Sequence, residues 1–222
     1  MAFLGPNDIL VLEKNSGNVL RVLNGEILKT PLLHVNVATS FIEWGLLGID
    51  VSKSSNANAP RSVFLYYTEP GGTAGFAAGN RLYRYELTND KTQLINPKLL
   101  LDLPANTPNP PAESNHNGGK VLIGPDNNVY TVIGDVGGHQ GLAQNVENGR
   151  PLDGTSGILR VTQEGQPVAG NPLVGSSSSS GGDNTSDKGK AGKENEKKGE
   201  GLSSSFLNVY YAYGIRNSFG GL

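Results

Sequence analysis

His116 stands in Asn115-His116-Asn117-Gly118-Gly119, short polar residues and glycines that run into Lys120 and an alternating apolar segment. A histidine on a tight turn at the mouth of a hairpin is placed for general-base work. A neutral imidazole, the side chain whose unperturbed pKa of ~6.5 lies nearest neutrality, is suited to accepting a proton. The second informative group is Arg216-Asn217, at the end of the strand-like run 209–213 and bracketed by Gly214 and Gly220. Cysteine is absent, which excludes disulfides, thiolate metal sites and cysteine nucleophiles. No paired-histidine spacing and no Asp-x-Asp-x-Asp-Gly loop occurs, so no residue is assigned as a metal ligand. Asp135 and Asp153 read as turn caps.

The elements that must hold these groups are strands. Val121, Ile123, Val129, Thr131 and Ile133 supply β-branched positions on either side of Gly124-Pro125-Asp126-Asn127-Asn128, a hairpin turn. The 31 glycines and 13 prolines, with no run of capped helical spacing, predict an all-β chain of many short strands with little helix. Residues 46–51 and 63–68 read as an inner and a middle strand separated by a polar loop. Residues 104–114 are a proline-rich, irregular approach to the histidine turn, because proline fixes φ and limits strand pairing.

Two internal echoes organise the chain. Residues 3–12 and 122–132 both read strand, Gly-Pro turn, strand. A glycine-opened strand carrying an arginine recurs three times: Gly17 to Arg21, Gly79 to Arg84, and Gly157 to Arg160. Repeats of short antiparallel strands at such separations predict three repeated sheets, the blades of a β-propeller, ahead of a sandwich whose hairpins coincide by chance.

Residues 1–174 therefore read as N-terminal blades and 206–222 as the start of a next blade. Between them, 175–205 carries almost no apolar side chain and is expected to be a disordered, solvated insertion. The sequon at Asn184-Thr185-Ser186 is too short and common to assign. A formal net charge of −2 removes the electrostatic case for nucleic acid. No apolar run approaches the ~20 residues that span a bilayer, and residues 1–12 already read as strand, turn, strand rather than as a secretion signal.

Taken together and in order, Glu43-Trp44-Gly45-Leu46-Leu47-Gly48-Ile49, the histidine hairpin, Gly134-Asp135, Gly157-Ile158-Leu159-Arg160-Val161 and Tyr213-Gly214-Ile215-Arg216-Asn217 resemble the glucose/sorbosone dehydrogenase family. Its best-known members are soluble PQQ-dependent aldose dehydrogenases. The resemblance covers nearly the whole chain except the insertion, and implies a six-bladed propeller of which this chain supplies about the first half, an incomplete ring of three to four blades.

That resemblance implies PQQ lying over one end of the propeller, with the sugar above it giving up a hydride from its anomeric carbon. His116 is then the base that takes the hydroxyl proton. Arg216 matches the arginine that stabilises charge on the quinone oxygen, and Asn217 a neighbour that hydrogen-bonds PQQ. Gln140 stands where a sugar-contacting glutamine is found. Asn115 and Glu43 occupy substrate positions held by aspartate and glutamine in the best-studied members, so the identity of the sugar is open. His34, in an apolar run, and His139 find no support. The family's calcium ligands come from later blades and have no counterpart here. An external electron acceptor and an extracytoplasmic location are implied by the same likeness. The alternative is a non-catalytic propeller that binds a ligand or protein, or an inactive fragment.

Overall fold

The computed structural model describes residues 1–53, 60–72, 76–106, 114–137, 152–174 and 206–218. Among the described residues thirteen strands fall into three antiparallel sheets, each laid down in chain order. The first contains β1 (Ala2–Gly5), β2 (Asp8–Glu13), β3 (Asn18–Leu23) and β4 (Glu26–Ile27), with β5 (Leu33–His34) also paired to β3. The second is β6 (Leu46–Val51), β7 (Arg61–Pro70), β8 (Ala77–Leu87) and β9 (Leu94–Leu103). The third is β10 (Val121–Ile123), β11 (Val129–Ile133), β12 (Gly157–Val161) and β13 (Tyr210–Tyr213). Among the described residues the only named helical element is the 3₁₀ turn Leu207–Val209.

The sheets pack face to face in series. Along β7, Val63, Leu65 and Tyr67 enter a core with Leu4, Leu10 and Val19 of the first sheet. The alternate residues Phe64 and Tyr66 enter a second core with Val121, Val129, Ile133 and Leu159 of the third. Strand periodicity of two sends neighbours to opposite faces, so a strand buried on both reads as the unbroken apolar run at 63–67. The first strand of each sheet is innermost, with β6 touching β1 and β2 on one side and β10 on the other. This is the packing of successive propeller blades.

Both echoes acquire a physical cause. The three glycine-opened strands are β3, β8 and β12, the third strand of each sheet. A Cβ on Gly17, Gly79 or Gly157 would lie 2.0, 2.7 or 2.8 Å from the main-chain oxygen of Val35, Leu103 or Ala212, on the chain passing beside it. Only glycine permits that approach.

The recurrent arginines share one face, standing opposite Leu10, Phe64 and Tyr130 in their sheets. Arg21 holds Asp8 with two hydrogen bonds of 2.7 and 2.9 Å and donates at 3.1 Å to the carbonyl of Lys91, in the β8–β9 turn of the next sheet. Arg84 repeats this one sheet on, donating to Gln163 O at 3.4 Å and pairing with Glu164 in the turn after β12. Arg160 pairs with Asp126 at 2.5 Å and lies 5.6 Å from the ring centres of Tyr130 and Tyr211. Two of the three repeats thus tie a sheet to its successor.

One expectation changes. The strand after residue 205, read as opening a new blade, instead pairs with β12 and completes the third sheet. The long segment 162–209 separates β13 from its partner only in sequence, because Ala212 still lies beside Ile158. The segment 175–205 itself, and residues 107–113 of the proline-rich approach, lie outside the described residues.

Candidate active site

The β10–β11 hairpin delivers the histidine turn to one end of the third sheet. Its register, Val121 opposite Thr131, continues into main-chain bonds from Gly119 to Val132 and from Gly134 to His116 O at 2.9 Å. The chain before β10 therefore runs beside the chain after β11. His116 adopts a left-handed φ of 63° and is buried. For a non-glycine residue that conformation costs about 1 kcal/mol, offset here by the surrounding bonds.

Asp135 is the partner that sequence reading did not supply. Its Oδ1 lies 2.8 Å from His116 Nδ1, and its side chain is fully buried. Asp135 thus does more than the turn-cap reading implied, whereas Asp153 fits it: its Oδ1 accepts from Thr155 N at 3.1 Å and Thr155 Oγ1 at 2.6 Å. The sequence carried only a coarse signal: a hairpin turning at 124–128 returns the chain after Ile133 to the neighbourhood of the histidine turn, without fixing which side chain meets it.

The same strand end gathers the Arg-Asn segment. Asp135 N–H donates to Arg216 O at 3.0 Å, beside the Gly134 bond to His116 O. Gly134 fits between the two chains because a Cβ there would lie 2.4 Å from His116 O and 2.6 Å from Arg216 O. Arg216 and Asn217 are exposed side chains at this rim, as is Asn115, whose N–H donates to Val136 O at 3.1 Å. Glu43, from the segment before β6, accepts at 3.1 Å from the main-chain N–H of Asn117. Gln140 lies outside the described residues.

Glu43 and Gly118 also wall a cavity of about 500 Å³ with Lys14, Leu47, Lys120 and Ser218. His116 is not in that wall; it adjoins it through Asn117 and Glu43. The Ser218 Oγ is buried and has no hydrogen-bond partner among the described residues, leaving it available to a bound group. Two lysines and an unused hydroxyl, beside the exposed Arg216 and Asn217, form a donor set suited to a polyanionic ligand. A larger hollow, about 710 Å³, lies between the second and third sheets against Leu100, Leu103 and Phe206. It is lined by none of the residues expected from the sequence to carry the chemistry. Among the described residues no three His, Asp or Glu side chains come together to hold a metal ion. Among the described residues, too, no helix is long and apolar enough to cross a membrane.

Residues 1–182 match the family model for glucose/sorbosone dehydrogenase. Among solved structures, the chain is similar to the PQQ-bound form of an aldose sugar dehydrogenase from Streptomyces coelicolor, at 30% identity and a TM-score of 0.58 over 78% of this chain and 47% of that one. A putative oxidoreductase (glucose dehydrogenase) from Thermus thermophilus is 26% identical, with a TM-score of 0.58, over 79% of this chain and 47% of that one. The apo form of a soluble aldose sugar dehydrogenase from Escherichia coli shares the fold, with 22% identity, a TM-score of 0.62 and coverage of 97% and 50%. The chain thus spans about half the length of the solved structures it matches. No curated protein matches it.

Proposed function

The chain belongs to the glucose/sorbosone dehydrogenase family, and from that membership and the site at the end of β11 we propose that the protein carrying it oxidises an aldose sugar with PQQ. One observation carries the reading above the others: the buried 2.8 Å contact between His116 Nδ1 and Asp135 Oδ1. An ionised carboxylate only accepts hydrogen bonds, so it selects the tautomer with the proton on Nδ1. His116 Nε2 then carries the lone pair, and is the base.

The anomeric hydroxyl gives its proton to Nε2 while the anomeric carbon gives up its hydride, and a C–O single bond becomes a carbonyl. Asp135 holds the ring in place and stabilises the imidazolium that forms, as a carboxylate does in a Ser-His-Asp triad. Bound PQQ supplies the two-electron acceptor that protein side chains lack. Arg216 and Asn217 are the residues assigned to hold it, and the lysines and free hydroxyl of the adjoining cavity suit its carboxylates. Arg216 places a permanent positive charge where negative charge develops. Glu43, Asn115 and Gln140 are assigned to the sugar hydroxyls.

Calcium has no ligand cluster among the described residues, and no step is derived through it. The electrons pass to an external acceptor, and the location is extracytoplasmic, in keeping with the family. The test is sugar-dependent dye reduction by the PQQ- and calcium-loaded protein, parent against His116→Ala. A loaded parent that oxidises no aldose would sink the proposal and leave a binding module.

A further inference from the structure

Behind the histidine turn lies a run of polar side chains that the proposed reaction does not use. Thr68 on β7, Asn80 on β8, and Asn117 and Ser114 in the turn are all fully buried, as is Trp44. Thr68 Oγ1 donates to Asn80 Oδ1 at 2.8 Å. Asn80 Nδ2 donates to Asn117 Oδ1 at 2.9 Å and to Pro104 O at 3.0 Å. Asn117 Nδ2 donates to Ser114 O and Ser114 Oγ, both at 3.1 Å. Ser114 Oγ in turn accepts from Trp44 Nε1 and donates to Ala105 O.

The direction of every bond is forced. Pro104 O and Ser114 O can only accept, so each must face an amide nitrogen. That requirement turns the Asn80 carbonyl toward Thr68 and the Asn117 carbonyl toward Asn80. The Thr68 hydroxyl is the donor that satisfies the far end. Without it the buried Asn80 Oδ1 is orphaned, and the amide can regain a donor only by shifting out of the line, because turning over in place would set its oxygen against Pro104 O. Asn117 is held by its main chain as well: its N–H is given to Glu43 at 3.1 Å, and its carbonyl accepts from Tyr66 OH at 3.0 Å. His116 immediately precedes it in a left-handed conformation that local propensity does not favour.

The geometry points to Thr68, Asn80 and Asn117 as a positioning relay: a hydroxyl on the second sheet completes a line of two amides whose orientations Pro104 O and Ser114 O set, and that line holds the backbone that aims His116 at Asp135. This rests on the proposed role of His116 as base. The Thr68 hydroxyl bonds Asn80 and does not line the cavity, so Thr68 is a positioning residue.

The test uses Thr68→Val, which removes the donor at nearly constant shape, and Thr68→Ser, which keeps it. The ring ¹⁵N resonances of His116 in the chain report the tautomer independently of any cofactor. Thr68→Val is expected to mix the His116 tautomers and expose its Nδ1 proton to exchange, while Thr68→Ser matches the parent. In the PQQ-loaded protein the same change is expected to lower kcat about tenfold, the scale of one lost hydrogen bond, with KM held within about twofold. A folded Thr68→Val with unchanged His116 resonances overturns the relay, even if its melting temperature falls, since that is the mark of a purely structural role. Should Thr68→Val not fold, the parent still decides: rapid exchange of the Asn80 and Asn117 side-chain amide protons overturns the relay. A loaded parent without activity but with the His116 response intact would refute the dehydrogenase reading and leave the relay standing.

Discussion

His116 and Arg216, far apart in sequence, are bonded through their carbonyls to consecutive main-chain N–H groups at the end of β11: Gly134 donates to His116 O at 2.9 Å and Asp135 to Arg216 O at 3.0 Å. One peptide segment thus sets the spacing of the proposed base and the proposed charge-stabilising residue. Asp135 does so while its side chain meets the His116 ring.

Gly134→Ala tests that junction. The new Cβ would meet both carbonyl oxygens at 2.4–2.6 Å, contacts that backbone must relieve by moving. Overpacking of this kind costs about 1–3 kcal/mol. A lower denaturation midpoint is expected, together with a larger loss of kcat than of KM; an unperturbed Gly134→Ala protein would show that the junction tolerates movement.

Asp135→Asn retains shape but offers an N–H where the imidazole has its own. Where that N–H faces the ring the His116 tautomer changes, and in either amide orientation the charge that stabilises the imidazolium is gone. Loss of kcat by about 10²- to 10⁴-fold is expected, comparable with loss of a general base, at little cost in substrate affinity. Steady-state kinetics of the loaded protein measure it, and near-parent turnover would remove Asp135 from the mechanism.

Acid should loosen the contact between the first two sheets. Hydrogen bonding to Arg21 holds the Asp8 carboxyl below its ordinary range; burial opposes this and Lys91 adds to it. Because the folded pKa is depressed, the stabilisation is complete above the unfolded value of roughly 4 and fades as pH falls through the folded one. Asp8→Asn is expected to cost about 2 kcal/mol at pH 7 and to flatten the acid limb of a stability-versus-pH curve. A parent-like acid limb in Asp8→Asn would assign that limb to other carboxylates.

The corresponding tie between the second and third sheets is at the surface. Glu164 takes Arg84 and Lys98 together, yet it is exposed and screened by water. Glu164→Gln is therefore expected to leave the thermal midpoint close to the parent's, and added salt to have little further effect. A large drop would mean that the turn after β12 depends on this pair for its docking.

Alkali acts through the tyrosines. Burial pushes the Tyr83 phenol up to about 12, with Glu69 adding to the shift, and burial raises Tyr67 as well. A folded pKa raised above the unfolded value contributes stability below about pH 10, which is lost as pH climbs toward the folded value. Unfolding monitored at 295 nm should thus release phenolate cooperatively with the loss of sheet signal above about pH 10, whereas free titration ahead of unfolding would contradict the buried environment.

The local alternation, the Gly-Pro hairpins and the thrice-repeated glycine and arginine strand are legible along the chain, because they follow from periodicity, turn chemistry and the φ freedom of glycine over a few adjacent residues. The sequence also puts His116 on the turn before β10, and Arg216-Asn217 after a strand. Folding in three dimensions is what makes Tyr210–Tyr213 close the third sheet, brings Asp135 to His116, carries Arg21 and Arg84 into the following sheet, and sets Thr68 at the far end of a line of amides leading to the histidine turn. Those relationships join residues on different strands and sheets. Which side chains meet there depends on register and on how the faces stack, and a strand pattern of period two specifies the face of each residue without saying what lies across from it.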